Sequence, residues 1–465
     1  MTRFFKHRAP ASRARQCGKT GKARLVLRLL PIFLILSSAP PAAAYESLPV
    51  RNGDGNVVFR LDLFGRGETY WYDSDEGGFL HSARDFSATE VGGLRRGLEY
   101  WTDVLKPVGA PFTPVIVRAG VMPDQDYNAA AIFFSSADAC SEPGCGPGDT
   151  YGRAYEALHR GKDLSLEASG VPDDPLVGAH ILTYYHNYSW DTQADSQLPE
   201  TKGSLTPTVV HEIGHALGIV YNNPLFSRHL YGTAYDPETG TLGTLVFQGT
   251  EATKVFGGYL PMAHSSDQEA SHFGLRNGLM THVQIVNYPM LMEAELAAVQ
   301  DIGYTVDRRG FFGLSIYADA QSGGASPVVS NYDDFYANQN NFPVAIENHL
   351  GFFHSRGLDA DGNWLGYDTS RPNTTPFGVG LHLYGSGWTV TQMADLLACG
   401  SGGAGVRIDG FDNTVNIPEG VSVAADGERG TGILVSFGSG HTVNSQGTLR
   451  ATGPLGIAAR FDMGA

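Results

Sequence analysis

The chain has 465 residues, of which 42% are hydrophobic, and a formal net charge of −16. This length is typical of about three domains and is sufficient for a large core. The excess of negative charge argues against nucleic acid and anionic lipid as partners, because both repel an acidic surface.

The first 44 residues have the composition of a secretory signal. They contain nine basic residues and no acidic one, and a short apolar run at 29–36 precedes the small residues at 42–44. The apolar run is far shorter than the roughly 20 residues needed to cross a bilayer, so a retained anchor is the less favoured alternative. We therefore expect an exported protein without a transmembrane segment in its mature part, which would carry 23 basic and 48 acidic residues.

The mature chain begins with a mixture of strands and one helix. Alternating apolar residues over 57–63 predict a β-strand. Apolar residues at helical spacing over 87–105 predict an amphipathic helix that ends before Pro107. Further strands are predicted at 114–119, 130–135 and 178–186.

An H-E-x-x-H motif at 211–215 is the strongest chemical signal in the chain. On a helix, two histidines four positions apart lie on one face, where both imidazoles can bind a single cation. Thr206 is the expected N-cap and Pro207 the expected first residue of that helix. Two ordinary histidines on a helix are the alternative, because so short a motif also occurs by chance.

His211 and His215 are therefore candidate ligands of Zn²⁺, and Glu212 is the candidate catalytic base. Two imidazoles and one further ligand leave a fourth position for water, whose pKa the metal lowers towards about 7. Glu212 lies beside the two histidines, where it can take a proton from that water and pass it to a leaving amine. The combination predicts hydrolysis of peptide bonds.

Residues 211–218 resemble the metzincin clan of zinc proteases, in which a third histidine ligand follows the second by six positions. Tyr221 occupies that position here. The downstream order is Ser-His-Phe-Gly at 271–274 and Leu-Met-Thr-His at 279–282, followed by a helical stretch that ends near residue 304. This order is similar to the leishmanolysin branch of the clan, where an insertion, here about 222–262, separates the helix from the third histidine.

The resemblance implies that His272, 57 residues after His215, is the third zinc ligand and that Met280 lies beneath the metal. Two other histidines remain alternatives for the third ligand. His264 also follows the insertion, and His282 takes a place at which some metzincins have a displaceable tyrosine ligand.

The same resemblance implies a metzincin-like α+β catalytic domain over residues 45–305, with a mixed sheet and an active-site helix. In that clan an edge strand pairs with the extended substrate. The stretch 178–186 is the candidate for this strand, and an ordinary buried strand is the alternative for it.

Residues 306–377 are rich in turns and are predicted to connect the catalytic domain to a further module. Within them, the Asp-Ala-Asp-Gly-Asn run at 359–363 resembles part of a calcium-binding loop, but the carboxylate that completes such a loop is missing. A plain turn is therefore the favoured interpretation of this run.

A repeat begins near residue 378. Glycine followed by alternating apolar residues recurs at Gly380, Gly405, Gly432 and Gly456, and a Thr-Val pair recurs at Thr389, Thr414 and Thr442. These regular spacings with intervening turns predict a solenoid over 378–465. A parallel β-helix fits best, and a β-sandwich is the alternative.

These repeats are similar to the stalks of bacterial autotransporters, in which a β-helical passenger is followed by an outer-membrane translocator. The resemblance implies a secreted or cell-surface location, in particular the outer surface of a Gram-negative bacterium. It also implies two candidate partners of the last repeat, namely an outer-membrane translocator or a continuation of the β-helix.

We therefore expect an exported zinc endopeptidase that acts on protein or peptide substrates and is mounted on a β-helical stalk. A non-catalytic adhesin is the first alternative, although such a protein would have no use for the base Glu212. A zinc hydrolase that cleaves a non-peptide amide is the second alternative, because the motif does not specify the acyl group.

Overall fold

The computed structural model of the chain describes most residues between 46 and 462. The described ranges are 46–73, 78–106, 112–123, 129–133, 135–141, 145, 147, 149–163, 179–187, 189–190, 204–232, 245–263, 269–275, 277–281, 288, 290–317 and 344–462. The expected signal segment and the two alternative ligands, His264 and His282, lie outside these residues. No helix within the described ranges has the length and apolar character needed to cross a membrane.

The N-terminal part of the chain contains both strands and helices. Its strands are β1 (Glu46–Arg51), β2 (Val57–Leu63), β3 (Thr69–Asp73), β4 (Gly78–His81), β5 (Val115–Val121), β6 (Ala129–Phe133), β7 (Ser135–Ala139), β8 (Thr150–Gly152), β9 (Ile181–Tyr185), β10 (Leu230–Tyr231), β11 (Val246–Phe247) and β12 (Leu260–Pro261). Its helices are α1 (Ala88–Val104), α2 (Arg153–Arg160), α3 (Leu205–Leu217), α4 (Pro224–Ser227), α5 (Thr250–Phe256), α6 (Glu293–Asp301) and α7 (Arg308–Phe311).

One mixed sheet, in the order β1-β2-β5-β9-β6, forms the centre of this part. Strands β2, β5 and β9 run parallel, whereas β1 and β6 pair antiparallel at the two edges. Helix α3, which carries the H-E-x-x-H motif, packs against α1 and lies next to β6 and β9. The motif is thereby placed at the antiparallel edge of the sheet.

The predicted elements before the motif are present, with one correction. β2 spans the predicted residues, and α1 follows the N-cap Ser87, whose side chain forms a capping box with Glu90. The prediction that 178–186 provides the edge strand is wrong, because β9 lies between β5 and β6 and all its residues are buried. The alternative, a buried strand, is correct. Pairing between strands far apart in sequence decides which strand is at the edge, and the apolar pattern of one strand does not show this pairing.

Helix α3 starts earlier than predicted. Its N-cap is Ser204 and its first residue is Leu205, so the prediction that Thr206 caps the helix and Pro207 begins it is wrong. The hydroxyl of Thr206 instead donates to the backbone oxygen of Gly93 in α1, at 3.3 Å. Proline is tolerated at the third position because the first four N–H groups of a helix have no partner within the helix.

The C-terminal stack, as we call residues 312–317 and 344–461, consists of strands. These are β13 (Phe312–Tyr317), β14 (Val344–Asn348), β15 (Phe353–Ser355), β16 (Tyr367–Pro372), β17 (Val379–Ser386), β18 (Trp388–Gln392), β19 (Leu396–Leu397), β20 (Ala404–Phe411), β21 (Thr414–Ile417), β22 (Ser422–Ala424), β23 (Thr431–Ser439), β24 (Thr442–Ser445), β25 (Thr448–Arg450) and β26 (Ile457–Phe461).

Most of these strands form parallel sheets. The three sheets have the orders β13-β17-β20-β23-β26, β14-β18-β21-β24 and β19-β22-β25, and every pair within them is parallel. Apolar side chains such as Leu381, Val406 and Ile433 are buried in a common core. This arrangement is compatible with a parallel β-helix. It disfavours the β-sandwich, whose sheets are antiparallel.

The predicted repeats align in the structure, except for the last one. The Thr-Val series pairs in the predicted register. The predicted alignment of Gly456 with Gly432 is wrong by two residues, because Ile433 pairs with Ala459. A shift of two leaves every side chain on the same face of the strand, so the apolar pattern does not distinguish the two registers.

The stack also begins before the expected boundary at residue 378. Strands β13 and β14, which belong to the expected connecting segment, pair in parallel with β17 and β18. The chain between β13 and β17 is much longer than the later repeats, and this length hides the periodicity. In the same segment, Asp359 accepts hydrogen bonds from the backbone N–H groups of Asp361 and Asn363, which close a turn over residues 359–363.

The N-terminal part and the stack share one hydrophobic core. Val379, Ala404 and Leu434 of the stack are buried in the same cluster as Met280 and the apolar residues of α6. The stack is therefore joined to the part that carries the motif by packed side chains as well as by the chain itself.

Candidate metal centre

The three predicted histidine ligands converge on one point. His211 and His215 lie one turn apart on α3, and His272 follows the short 3₁₀ turn Glu269–Ser271. The Nε2 atom of His215 lies 3.0 Å from that of His211 and 3.0 Å from that of His272, and the remaining pair is 3.3 Å apart. Among the described residues, this is the only group of three or more His, Cys, Asp or Glu side chains whose ligand atoms lie so close together.

The outer nitrogens of two of these rings contact backbone oxygens. Nδ1 of His211 lies 2.7 Å from the oxygen of Leu279, and Nδ1 of His215 lies 2.7 Å from the oxygen of Ile219. A carbonyl oxygen only accepts, so in the neutral form of each ring Nδ1 carries the proton and Nε2 presents a lone pair. Lone pairs at 3.0 Å repel each other unless a cation lies between them. The arrangement therefore favours a bound cation over an ordinary histidine cluster.

The nitrogen positions fit a zinc ion. Tetrahedral Zn²⁺ with Zn–N bonds of about 2.0–2.1 Å holds its nitrogen ligands about 3.3 Å apart. The observed separations of 3.0, 3.0 and 3.3 Å are close to this value. Three protein ligands also leave one position for water or substrate, which is typical of catalytic zinc sites. Imidazole also suits copper, iron and nickel, so the donor set alone is not specific for zinc.

Glu212 lies next to the histidines on the same helix and is buried, with 8% of its surface exposed. Its carboxylate accepts a hydrogen bond from the backbone N–H of Ala131 in β6. Burial raises the pKa of this carboxyl to about 8, and the bond from Ala131 opposes the shift. A divalent cation at the histidines would lower this pKa again, because a nearby positive charge favours the carboxylate.

The side chain of Met280 packs against α3 at Gly214, within the motif. The side chain is fully buried, and a Cβ atom on Gly214 would approach its sulfur to 2.7 Å. A larger residue at Gly214, the fourth position of the H-E-x-x-H sequence, would therefore have to displace the thioether. The backbone oxygen of Met280 accepts a hydrogen bond from the N–H of Phe273 at 2.7 Å, which ties this loop to the residue after His272.

Several supporting groups were not predicted from the sequence. The buried carboxylate of Glu295 accepts hydrogen bonds from the backbone N–H groups of Leu279, Met280 and Met292. The backbone oxygens of Leu279 and Ile219 orient the two histidines of α3. Glu295 has one recognisable signal, its place three residues after the N-cap of a helix. Backbone oxygens carry no signal in a sequence.

The structure accommodates Tyr221, which stands where the short form of the motif has a histidine. The residue is 45% exposed, and its backbone N–H donates to the hydroxyl of Ser271 at 2.9 Å. This bond joins the chain just after α3 to Ser271, the residue directly before His272. The third imidazole therefore reaches the other two from the returning chain. The alternatives His264 and His282 lie outside the described residues.

Comparisons with known proteins do not assign the chain to a family. No family model, no curated protein and no solved structure matches it. Any functional conclusion therefore depends on the chemistry of the site.

Proposed function

We propose that this chain is an exported zinc-dependent endopeptidase. The observation that carries the proposal is the convergence of the Nε2 atoms of His211, His215 and His272 on the helix that also bears Glu212. A chance H-E-x-x-H motif gives no reason for a third imidazole, 57 residues away in sequence, to meet the first two.

The chain's own residues then have distinct roles. The three histidines would hold the metal. A bound metal would lower the pKa of a coordinated water and would polarise the scissile carbonyl. Glu212 takes the proton from the attacking water and passes it to the leaving amine. The N–H of Ala131 holds the Glu212 carboxylate in place. The oxygens of Leu279 and Ile219 keep the two α3 imidazoles in the ligating tautomer.

The substrate backbone pairs with β6 in this proposal. In the described sheet, β6 is hydrogen-bonded to β9 on one side and forms the edge on the other. An extended peptide can add to such an edge as a further strand. Because Ala131 of this strand contacts Glu212, a peptide at the edge would run close to the base.

The family and location are part of the same proposal. The order of the H-E-x-x-H helix, the returning histidine and the buried Met280 supports a metzincin-like domain of the leishmanolysin type. The parallel sheets of the stack support a β-helical stalk of the autotransporter type. The basic and apolar N-terminal segment supports export, with an outer-membrane translocator or further β-helical repeats as partners and a Gram-negative cell surface as the location.

The test is the variant Glu212→Gln in the full chain, with zinc content and casein cleavage measured on the same sample. We expect zinc to stay at the wild-type level and cleavage to fall by about 10²–10⁴-fold, the usual contribution of a general base. Glu347→Gln is the control, because Glu347 is an exposed carboxylate of the stack. Undiminished cleavage by Glu212→Gln would refute the assigned base.

The wild-type protein separates the alternatives in the same assays. Zinc binding without cleavage of any peptide or amide would favour the adhesin. Cleavage of small amides without cleavage of peptides would favour the non-peptide hydrolase.

A further inference from the structure

A buried polar cluster joins the stack to the loop before Met280. Asn277 in this loop donates from Nδ2 to Oδ1 of Asp409 at 2.8 Å and to Oγ of Ser436 at 3.2 Å. In return, Nη2 of Arg407 donates to the backbone oxygen of Asn277 at 3.1 Å. Asn277, Arg407, Asp409 and Ser436 are all completely buried. The stack therefore holds both the side chain and the backbone of Asn277.

The cluster is an ionised one. Burial alone would raise the pKa of Asp409, but the Arg407 guanidinium and hydrogen bonds from His382 and Ser436 hold it well below its usual range. Nε of Arg407 lies 2.7 Å from Oδ2 of Asp409, and Nε2 of His382 lies 2.9 Å from the same oxygen. A buried ion pair is stable only when its remaining donors and acceptors are also bonded. Asn277 is the residue of the loop that bonds to both members of the pair, to Asp409 through its side chain and to Arg407 through its backbone oxygen.

The loop that begins at this point contacts His211 and the residue that follows His272. Two residues after Asn277, the backbone oxygen of Leu279 accepts the hydrogen bond from His211. One residue further, the oxygen of Met280 accepts the N–H of Phe273, the neighbour of His272. A displacement of Asn277 would therefore be passed on to the orientation of one ligand and the backbone of another.

The backbone at Asn277 has an uncommon conformation. Its φ of 59° lies in the left-handed region, which among residues other than glycine is adopted mainly by asparagine and aspartate. The three hydrogen bonds from the stack hold the residue in this conformation. Gly278 follows it, and its N–H returns to the oxygen of Leu275 to close the turn.

We propose that the stack sets the affinity of the metal centre, with Asn277, Arg407 and Asp409 as positioning residues for His211 and His272. In this proposal the stack contributes to metal binding and does not only carry the N-terminal part of the chain. This inference rests on the metal-binding part of the proposed function and is independent of which bond the site cleaves.

The test is the variant Asn277→Gly in the full chain. Glycine tolerates the positive φ, so this change removes the side-chain contacts without steric strain in the backbone. Competition with a chelator should give a zinc Kd about tenfold weaker than wild type, the lower end of the effect of groups that orient metal ligands. Asn348→Ala is the control, because Asn348 is a buried asparagine of the stack whose side chain bonds to Gln392.

The zinc-free forms separate positioning from general destabilisation. Both variants should lower the unfolding midpoint of the zinc-free chain, whereas only Asn277→Gly should weaken zinc binding. An unchanged Kd for Asn277→Gly would overturn the proposal, and so would an equal loss of affinity in Asn348→Ala.

A second measurement needs no substitution and covers the case in which Asn277→Gly does not fold. Coupling between two sites is reciprocal, so zinc should also protect the stack strands that hold Asn277. Amide hydrogen exchange of the wild-type chain should slow in β20 and β23 when zinc is added. Protection confined to α3 and His272 would overturn the proposal.

Failure of this inference is distinguishable from failure of the proposed function. A chain that binds zinc with the predicted dependence on Asn277 but cleaves no peptide would contradict only the proposed activity. A chain that cleaves peptides but keeps its zinc affinity in the Asn277→Gly variant would contradict only the role of the stack.

Discussion

Gly97 sets the distance between α1 and α3, the helix that carries His211 and His215. A Cβ atom at this position would lie 2.5 Å from Cγ1 and 2.7 Å from Cβ of Val209, and 3.2 Å from the backbone oxygen of Thr206. Real carbon atoms do not approach so closely, and Val209 is a buried, β-branched residue with little rotameric freedom. Gly97→Ala must therefore push α3 away from α1.

The magnitude follows from two opposing effects. Overpacking a core costs about 1–3 kcal/mol, whereas replacement of glycine by alanine within a helix gains up to about 1 kcal/mol. We therefore expect Gly97→Ala to lower the free energy of unfolding by about 1–2 kcal/mol. Gly92→Ala is the matched control in the same helix, because the nearest atom to its Cβ would be Nη1 of Arg96 at 3.4 Å. It should raise stability by roughly 0.5–1 kcal/mol.

Urea unfolding, followed by tryptophan fluorescence, measures both variants. Trp101 is a suitable reporter, because its indole N–H donates to the backbone oxygen of Val210 across the same helix contact. The double variant Gly97→Ala/Val209→Ala should recover part of the loss, since the smaller side chain makes room for the new methyl group. Equal stability of Gly97→Ala and Gly92→Ala would refute the reasoning.

Three further predictions concern the ligands, their support and the pH dependence. His272→Ala should lower bound zinc to well below one ion per chain. The control His349→Ala removes an exposed histidine of the stack and should leave the zinc content unchanged. Equal losses of zinc in the two variants would contradict the ligand assignment. Glu295→Gln replaces one carboxylate oxygen by an amide NH₂ group, which cannot accept from the backbone N–H groups that now donate to it. The variant should lower the free energy of unfolding in urea by about 1–3 kcal/mol and should weaken zinc binding. Burial lowers the pKa of His180 to about 4, although Asp163 opposes this. In the unfolded chain His180 is protonated near pH 6.5, whereas in the folded chain it stays neutral down to about pH 4. The free energy of unfolding should therefore fall by up to about 3 kcal/mol between pH 6.5 and 4. A His180→Gln variant should lack this contribution to the pH dependence of stability.

The local part of the candidate site could be predicted from the sequence. The spacing of His211 and His215 places both rings on one helical face whatever surrounds the helix. The third histidine could not be obtained from spacing, because a long insertion separates it from the helix. Only the resemblance of the His272 and Met280 segments to a known order pointed to it, and the structure brings His272 to the other two rings.

Apart from the repeat, which predicted the pairing of the Thr-Val series, the long-range contacts of the fold could not be predicted. The strand at 178–186 has the composition of a sheet strand, but its place inside the sheet follows from pairing with β5 and β6. The two registers of the last repeat place the same side chains on the same faces of the strand, so the apolar pattern does not distinguish them. The contact between Asn277 and Asp409 joins residues 132 positions apart, and neither residue type has a periodicity that would indicate it.

The central claim is that three imidazoles of this chain bind one zinc ion. X-ray absorption at the zinc edge, on the full chain loaded with one equivalent of zinc, tests it most directly. We predict a shell with three imidazole nitrogens at about 2.0–2.1 Å, and only two imidazoles around the zinc that His272→Ala still retains. A shell without imidazole, or zinc that washes off the wild-type chain, would contradict the account.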